Sequence, residues 1–517
     1  MRSKTIIRRQ TLGDLLRRTA ARVPSKIAVR CGQIEWTYAQ FDRLCDQFAA
    51  GLASRGIVVG DRVAVLARNS HAWAVARFAV ARLGAVLVPV NFMLNATEVA
   101  YLLRHSEARI LCVDSGLAAL GLEACNSSTT VENIVELPSE NAPVTSSDLL
   151  RFEDLLLPTP APFGEFAGDS LAQIVYTSGT ESRPKGAMLT HEAVIWEYVS
   201  CLVDAEISHD DLILHALPLY HCAQLDVFLG PGVYVGATHV ITAHPTPDNL
   251  LTLIEQHRVT SFFAPPTVWI SLLRSPRFDR CDLSSLAKGY YGASIMPVEV
   301  LREIQRRLPN IRLWNLYGQT EIAPVASVLK PQDQLRKPGS AGRAALNVEI
   351  RVVDDNGDDV LPGETGEIVH RSPQLLSGYF GDEEKTAAAF SGDWFHSGDL
   401  ATMDSEGFIT VVDRKKDIIK TGGENVASRE VEEVLYGLPQ ISEVAVIGLP
   451  DARWVEAVTA IVILRDRHSL NEQEVIAHCA AQLARFKVPK RVIFADSLPK
   501  NPSGKLLKRE LRQRYER

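Results

Sequence analysis

The sequence contains no apolar run long enough to cross a lipid bilayer. A membrane-spanning helix needs about 20 consecutive apolar residues, and the most apolar stretch, residues 72–90, is interrupted by Arg77, Arg82 and Pro89. It is predicted to form a buried helix followed by a strand. The basic residues near the N-terminus are not followed by a long apolar segment, which argues against a secretory signal.

The sequence is also poor in cysteine and in net charge. Its eight cysteines are scattered among 517 residues, with neither the spacing of metal ligands nor the clustering of a small disulfide framework. We therefore expect buried thiols in a reducing compartment, the cytoplasm. The formal net charge of −7 is mild, which argues against a general surface for nucleic acid or anionic membranes. A homodimer is left open.

The chain does have ample apolar content, arranged in alternating patterns. Hydrophobic residues make up 46% of the chain, which is enough for more than one core at this length. Short apolar strands alternate with helical patterns over residues 27–113 and again over 212–316, and a polar, irregular connection with one short helix near residues 148–156 covers about 126–170. This alternation predicts an α/β fold with two doubly wound sheets, followed from about residue 339 by a β-rich subdomain.

We predict two domains, an N-terminal domain over residues 1–412 and a small, mobile α+β domain over residues 413–517. The charged run at residues 413–417 is interpreted as the hinge, and a solvated turn is the alternative. In doubly wound sheets, ligands bind beyond the carboxyl ends of the strands. Candidate site segments therefore follow the predicted strands, at residues 218–221, 264–266, 291–293 and 317–321.

One loop carries the strongest chemical signal. The apolar residues 174–176 end in a stretch of hydroxyl side chains and glycines with one lysine, Lys185. Glycines let backbone N–H groups approach phosphate oxygens, and a lysine offsets their charge. The stretch is not a P-loop, because Pro184 precedes the lysine and Gly186 follows it. We predict a polyphosphate-binding loop between a strand and a helical pattern that starts at Thr190, with an ordinary surface loop as the alternative.

Residues 177–186 resemble the Thr-Ser-Gly-Thr-Thr-Gly-x-Pro-Lys-Gly signature of adenylate-forming enzymes, which include acyl-CoA synthetases, luciferases and peptide-synthetase adenylation domains. Residues 317–321 resemble the family's Tyr-Gly-x-Thr-Glu motif, residues 394–399 its Trp-x-x-Thr-Gly-Asp motif, and residues 501–505 its late Gly-Lys motif. The resemblance covers nearly the whole chain. Glu181 and Ser182 depart from it by replacing Thr-Gly, Ser397 replaces the threonine of Trp-x-x-Thr-Gly-Asp, and Tyr291 replaces the first glycine of Gly-Gly-Ala.

The resemblance implies a role for each matching residue. The expected catalytic residues are Lys505, Lys185, Thr320 and Glu321, and Mg²⁺ is expected at Glu321 and Thr177. Residues expected to contact ATP or coenzyme A are Thr177, Ser178, Gly179, Thr180, Gly292, Ala293, Tyr317, Asp399, Arg414, Gly422 and Gly423. Within this set, Tyr317 is assigned to adenine, Asp399 and Arg414 to the ribose, and the paired glycines to the pantetheine tunnel. The acyl pocket is expected to include His221, Gln224, Phe263, Tyr291 and Ile322.

The resemblance further implies an AMP-forming acid–CoA ligase that makes an acyl-adenylate and then transfers the acyl group to CoA. A medium- or long-chain fatty acid is the predicted substrate, with aryl, terpenoid and carnitine-like acids left open. The alternatives are transfer to a carrier protein and a catalytically weak nucleotide-binding relative, the latter suggested by Glu181 and Ser182. Since Lys505 and Gly423 are assigned to different half-reactions at one site, we expect the C-terminal domain to rotate between them.

Overall fold

The computed structural model describes residues 8–127, 130–140, 149–159, 161, 164–177, 184–292, 296–415, 417–421, 424–451, 453–465, 467–500 and 506–516. These residues form two large sheets with their helices, then a β-rich subdomain and a small α+β unit. Among the described residues, no helix is both long and apolar enough to cross a membrane.

The first part of the chain contains α1 (Leu12–Arg22), β1 (Ile27–Cys31), β2 (Ile34–Thr37), α2 (Tyr38–Ser54), β3 (Arg62–Leu66), α3 (His71–Leu83), β4 (Val86–Pro89), α4 (Ala96–Ser106), β5 (Ala108–Asp114), α5 (Ala118–Asn126), β6 (Asn133–Leu137), β7 (Leu150–Arg151), β8 (Leu171–Thr177) and β9 (Lys185–Thr190). The second part contains α6 (His191–Asp204), β10 (Leu212–His215), α7 (Cys222–Gln224), α8 (Gly230–Val235), β11 (Thr238–Ile241), α9 (Pro247–His257), β12 (Ser261–Phe263), α10 (Pro266–Arg274), β13 (Lys288–Gly292), α11 (Val298–Arg307), β14 (Arg312–Gly318), β15 (Val325–Leu329) and β16 (Arg343–Ala344). The last part contains β17 (Glu349–Val353), β18 (Thr365–Arg371), β19 (Gly378–Tyr379), α12 (Glu383–Ala389), β20 (Phe390–Ser391), β21 (Trp394–Met403), β22 (Ile409–Arg414), β23 (Ile419–Thr421), β24 (Glu424–Val426), α13 (Ser428–Tyr436), β25 (Ile441–Asp451), β26 (Val455–Leu464), α14 (Glu472–Ala480), β27 (Arg491–Phe494) and α15 (Lys508–Tyr515).

Both large sheets have parallel centres; the first has antiparallel strands only at its β19 edge, and the second has them at both edges. One runs in the order β19-β9-β8-β4-β3-β5-β6-β7, and the other in the order β16-β15-β14-β13-β12-β10-β11-β1-β2. The predicted pair of doubly wound sheets is therefore confirmed. The N-terminal hairpin of β1 and β2 joins the second sheet rather than the first, because β1 pairs in parallel with β11.

Three strands were not predicted. The connection over residues 126–170 contains β6 and the short β7, which extend the first sheet beyond β5, together with the predicted short helix, a 3₁₀ turn at Phe152–Leu155. The lysine-containing loop is followed by a strand, since β8 and β9 pair antiparallel on its two sides. The helix predicted from Thr190 begins at His191, with Thr190 as its cap. The loop therefore joins the two strands of a hairpin, and the N-terminus of α6 lies one strand away from it.

Helix α3 is predicted correctly and lies in the core. It begins after Ser70, whose hydroxyl accepts a hydrogen bond from the backbone N–H of Trp73 at 3.2 Å. It ends at Gly84, where φ is 70°. A side chain on Gly84 would also overlap the ring of Phe166 at 2.5 Å. Glycine is thus required at this end both by its conformation and by the close approach.

A buried ion pair joins α3 to the second half of the domain. Arg77 of α3 lies 2.9 Å from Asp226, which sits in a π-helical turn at Leu225–Leu229. Asp226 also accepts hydrogen bonds from Gln173 at 2.8 Å and Tyr198 at 3.2 Å. Burial opposes the charge on Arg77, but Tyr198 and Asp226 outweigh this and raise its pKa. Charged groups away from water are tolerated only when paired in this way.

The β-rich subdomain consists of β17, β18, β21 and β20, with β22 beside β21. His370 of β18 is fully buried and stacks against Phe395 of β21, with 6.4 Å between the ring centroids. Neither of its ring nitrogens has a hydrogen-bond partner among the residues that the structure describes. Burial lowers the pKa of His370 to about 3, so the imidazole is neutral.

The C-terminal unit is a sheet of β24, β23, β26 and β25, with β27 beside β26. Val455, which opens β26, has a φ of 70° and exposes 69% of its surface. A β-branched residue rarely adopts this left-handed conformation. Val455 pairs with Thr421 of β23, so this strained position lies beside the segment predicted to contact coenzyme A.

Candidate active site

The carboxyl ends of β12, β13 and β14 lie at one edge of the second sheet. β13 ends at Gly292, which pairs with Leu316 of β14. A side-chain carbon on Gly292 would lie 2.5 Å from the carbonyl oxygen of Leu316, so only glycine fits. β14 ends at Gly318 and is followed by one 3₁₀ turn, Thr320–Ile322. Two of the predicted site segments are therefore neighbours.

Three residues predicted to bind the nucleotide contact one another. Asp399 of β21 and Arg414 of β22 are paired across their strands, and Nε of Arg414 lies 3.4 Å from Oδ1 of Asp399. The Tyr317 hydroxyl donates to Oδ2 of Asp399 at 2.7 Å. Burial, together with the charge of Asp399, raises the pKa of Tyr317 well above its usual value and keeps the hydroxyl a donor. The sequence motifs gave no sign of the contact between Tyr317 and Asp399.

The residues predicted to bind phosphate and magnesium lie on adjacent elements. Thr177 of β8 is paired with Lys185 of β9, and its hydroxyl lies 3.5 Å from the Lys185 carbonyl oxygen. Glu321 is buried in the 3₁₀ turn, where Oε1 accepts a hydrogen bond from the Tyr379 hydroxyl at 3.0 Å. A carboxylate and a hydroxyl are oxygen ligands of the kind that Mg²⁺ takes, so these side chains fit the predicted metal.

The five residues predicted to line the acyl pocket surround the same strand ends. Those that are buried are Gln224, Phe263, Tyr291 and Ile322, whereas His221 is partly exposed. His221 also caps α7, because its Nδ1 accepts a hydrogen bond from the Ala223 backbone N–H at 3.1 Å. The next residue, Cys222, has its sulfur 3.4 Å from the Thr320 hydroxyl. The histidine segment therefore lies against the turn that carries Thr320 and Glu321.

Tyr291 is fixed in place by a polar contact on its far side. Its hydroxyl donates to Oε1 of Gln334 at 2.6 Å, and Nε2 of Gln334 donates to the carbonyl oxygen of Leu329 at 2.9 Å. All of these atoms belong to buried residues, and burial raises the pKa of Tyr291 above its usual value. A ring held in this way is a rigid wall, since moving it would leave buried polar groups without partners.

A chain of neutral imidazoles next to Gln224 was not predicted from the sequence. Nε2 of Gln224 lies 2.7 Å from Nδ1 of His215, and Nε2 of His215 lies 2.8 Å from Nδ1 of His239. Burial lowers the pKa of both histidines, that of His239 to about 3. The amide oxygen of Gln224 has no partner among the described residues. The only signal in the sequence was a histidine within each of two apolar strands.

The predicted hinge contacts both of its neighbours. Asp413 accepts two hydrogen bonds from the first residue of α13, at 2.7 and 2.6 Å. Asp417 pairs with Arg512 of α15 at 2.8 Å. Between them, Lys415 lies 3.3 Å from Glu367 of the β-rich subdomain. Contacts to the C-terminal unit and to the N-terminal part thus alternate within five residues.

Several predicted site residues lie outside the residues that the structure describes: Ser178, Gly179, Thr180, Ala293, Gly422, Gly423 and Lys505. The last helix, α15, begins at Lys508, after Leu506 has formed a β-bridge with Lys500.

The converging strand ends, the cluster around Asp399 and the paired strands that carry Thr177 and Lys185 define an adenylate-forming enzyme. The sequence matches the profile of the AMP-binding enzyme family over residues 16–380 and that of the AMP-binding enzyme C-terminal domain over residues 430–505. The chain belongs to this family.

Its relatives include proteins named as CoA synthases and CoA ligases. It is 38% identical over 510 residues to a feruloyl-CoA synthase of an Amycolatopsis species, covering 98% of this chain and 100% of the relative. It is 35% identical to a long-chain-fatty-acid–CoA ligase of Mycobacterium tuberculosis, covering 93% of both chains. Among solved structures, it superposes on an anthranilate CoA ligase in complex with anthranoyl-AMP with a TM-score of 0.90, at 26% identity and covering 98% of this chain and 97% of that one.

Proposed function

We propose that this protein, an AMP-forming acyl-CoA synthetase that uses ATP, Mg²⁺ and coenzyme A, activates a compact aromatic or arylalkyl carboxylic acid. A carboxylate oxygen attacks the α-phosphorus of ATP, and pyrophosphate leaves. The thiol of coenzyme A then attacks the acyl carbon, and AMP leaves. The observation that carries the choice of acid is the fixed ring of Tyr291, held by Gln334 at 2.6 Å.

Different residues of the chain have separate roles in adenylation. Asp399 accepts hydrogen bonds from the ribose, since a carboxylate has only acceptor oxygens, and Arg414 and Tyr317 hold that carboxylate in place. Lys185 offsets the charge of the triphosphate, while Thr320 and Lys505 approach the α-phosphate. Magnesium, when bound at Glu321 and Thr177, stabilises the charge that develops on pyrophosphate.

The proposed acid follows from the walls of the pocket. Tyr291 occupies the position of the first glycine in the family's Gly-Gly-Ala motif. Its ring cannot rotate away without breaking a buried hydrogen bond. Phe263, on the neighbouring strand, is the register partner of Tyr290 and stacks on Phe228 at a centroid separation of 4.9 Å, so it lies on the face of the sheet opposite Tyr291. Gln224 adds a buried amide oxygen that lacks a partner among the described residues. A fixed tyrosine ring and one buried polar group suit a planar ring with a polar substituent better than a long alkyl chain.

The test is an acid panel assayed by ATP–pyrophosphate exchange and by thioester formation. Feruloyl- and cinnamoyl-type acids should give a kcat/KM roughly 10-fold or more above that of dodecanoic acid. Tyr291→Ala should reverse part of this preference by opening the pocket. Tyr290→Phe is the control, because it removes only a buried hydroxyl, which donates to the Ala205 carbonyl at 2.7 Å on the face of β13 opposite Tyr291, and keeps the ring that packs on Phe228. Absence of exchange with every acid, in folded protein that binds ATP, would contradict catalysis altogether.

A medium- or long-chain fatty acid is the second candidate. It is favoured by the apolar cluster that Phe263 and Ile322 share with Phe228, and by the name of the mycobacterial relative. A kcat/KM that rises with chain length to 12 or more carbons, roughly 10-fold overall, would select it over the aromatic acid.

We also propose that the C-terminal domain, residues 413–517, rotates about residues 413–417 between the half-reactions. Lys505→Ala should abolish adenylate formation yet leave thioester formation from supplied acyl-AMP nearly intact. Gly423→Leu should do the reverse, because its side chain fills the predicted pantetheine tunnel. Equal damage to both half-reactions by either variant would refute the rotation. Replacing coenzyme A by a holo carrier protein in the second assay tests the alternative acceptor.

A further inference from the structure

Tyr379 lies between the two parts of the predicted triphosphate site. It belongs to β19, a two-residue strand that pairs antiparallel with β9, the strand that begins at Lys185. Just before it, the backbone N–H of Leu376 donates to the carbonyl oxygen of Glu321 at 2.8 Å. Just after it, the backbone N–H of Phe380 donates to the carbonyl oxygen of Gly186 at 2.8 Å. The segment therefore ties the Glu321 turn to the lysine strand.

The side chain of Tyr379 makes the same connection. Its hydroxyl donates to Oε1 of Glu321 at 3.0 Å, and both residues are buried. The ammonium group of Lys185 lies 5.2 Å from the centroid of the Tyr379 ring, within the range of a cation–π interaction. One tyrosine thus contacts, through different atoms, the residue predicted to bind magnesium and the residue predicted to bind the phosphates.

We propose that Tyr379 is a positioning residue, whose hydroxyl sets the Glu321 carboxylate for magnesium and whose ring sets Lys185 for the triphosphate. This inference rests on the proposed roles of Glu321 and Lys185. A hydrogen bond to one carboxylate oxygen fixes the side-chain rotation and leaves the other oxygen to face a cation. Partners of this kind, one contact removed from a metal, typically account for 10–100-fold in metal affinity.

The two contacts are separable by substitution. Tyr379→Phe removes the hydroxyl and keeps the ring, whereas Tyr379→Leu removes both. The measurement is calorimetric binding of α,β-methylene-ATP to the full chain without acid, with and without Mg²⁺, so that no turnover is needed. The quantity compared is the ratio of the Kd without Mg²⁺ to the Kd with Mg²⁺.

Tyr379→Phe should lower this ratio about 10-fold while changing the Mg²⁺-free Kd by less than about twofold. Tyr379→Leu should lower the ratio equally and also weaken Mg²⁺-free binding about threefold or more, through the loss of the ring beneath Lys185. Tyr38→Phe is the matched control, since the Tyr38 hydroxyl is buried and donates to the Ala237 carbonyl at 2.6 Å, far along the chain from the site. It should leave the ratio unchanged even where thermal unfolding shows a loss of stability.

Glu321→Gln separates failure of this inference from failure of the site assignment. If Glu321→Gln lowers the ratio and Tyr379→Phe does not, the positioning role of Tyr379 is wrong. If Glu321→Gln itself leaves the ratio unchanged, the magnesium role of Glu321 is wrong and the inference falls with it. If both lower it, the double variant should lose no more than Glu321→Gln alone, because the two substitutions act on one interaction.

Discussion

Replacing His370 with phenylalanine is expected to make the protein less sensitive to acid. The folded state holds this imidazole neutral, with a pKa of about 3, whereas a histidine in the unfolded chain has a pKa of about 6.5. The unfolded state therefore binds more protons between these values. The contribution of His370 to stability is fully present above pH 6.5 and is lost as the pH falls toward 3.

The size of the effect follows from that difference in pKa. When the pH falls from 7 to 5, one such group lowers the free energy of unfolding by about 2 kcal/mol, since each pH unit below the unfolded-state pKa lowers it by about 1.4 kcal/mol. Phenylalanine does not titrate and keeps the stacking on Phe395. The free energy of unfolding is measured at the two pH values by urea unfolding, followed by tryptophan fluorescence. Between pH 7 and pH 5, it should fall by about 2 kcal/mol less in the variant than in the wild type. His370→Leu should give the same reduction. Equal losses in the wild type and both variants would show that the folded state does not hold His370 neutral.

Three further outcomes are expected. Asp226→Ala should destabilise the protein by about 3–5 kcal/mol in urea unfolding, because it leaves Arg77 charged and buried without its partner, whereas the apolar pair Arg77→Met with Asp226→Leu should cost less. Val455→Gly should raise the thermal unfolding midpoint, corresponding to about 1 kcal/mol, by relieving the left-handed conformation at φ 70°; an unchanged or lower midpoint would mean that the valine is not strained. Lys185→Ala should slow pyrophosphate exchange on the order of 10²-fold, and an unchanged rate would show that the loop is structural.

The regular elements of the fold could be predicted from the sequence because they depend on local patterns. Helix α3 has its cap at Ser70 and its glycine stop at Gly84, and the strand ends show abrupt changes from apolar to small or polar residues. Strand β6 could not be predicted, because its few apolar residues are recognisable as a strand only once they pair in parallel with β5. β9 was missed although it pairs with the preceding strand β8, because its six residues lead directly into the helix that begins at His191.

Within the site, the sequence indicated the residues that carry recognisable motifs but not the contacts that orient them. Tyr317 and Asp399 are 82 positions apart, and Glu321 and Tyr379 are 58 apart. Nothing in the local pattern of Tyr379 distinguishes it from a packing residue, and the motif that contains Tyr317 gives no sign of its hydrogen bond to Asp399. These hydrogen bonds arise from the way the two sheets and the β-rich subdomain meet, which single-sequence patterns do not encode.

The order of strands in the two sheets also governs when the protein can fold during translation. The hairpin of β1 and β2 is synthesised early, but β11, the parallel partner of β1, is synthesised about 200 residues later. At the usual rate of translation this is a delay of roughly 10–40 s. The first sheet is likewise incomplete until β19 is made. Nascent chains shorter than about 240 residues therefore expose an unpaired, apolar β1 edge, which favours aggregation. A chain truncated before β11 should aggregate, whereas one that ends after the β-rich subdomain contains every strand of both large sheets.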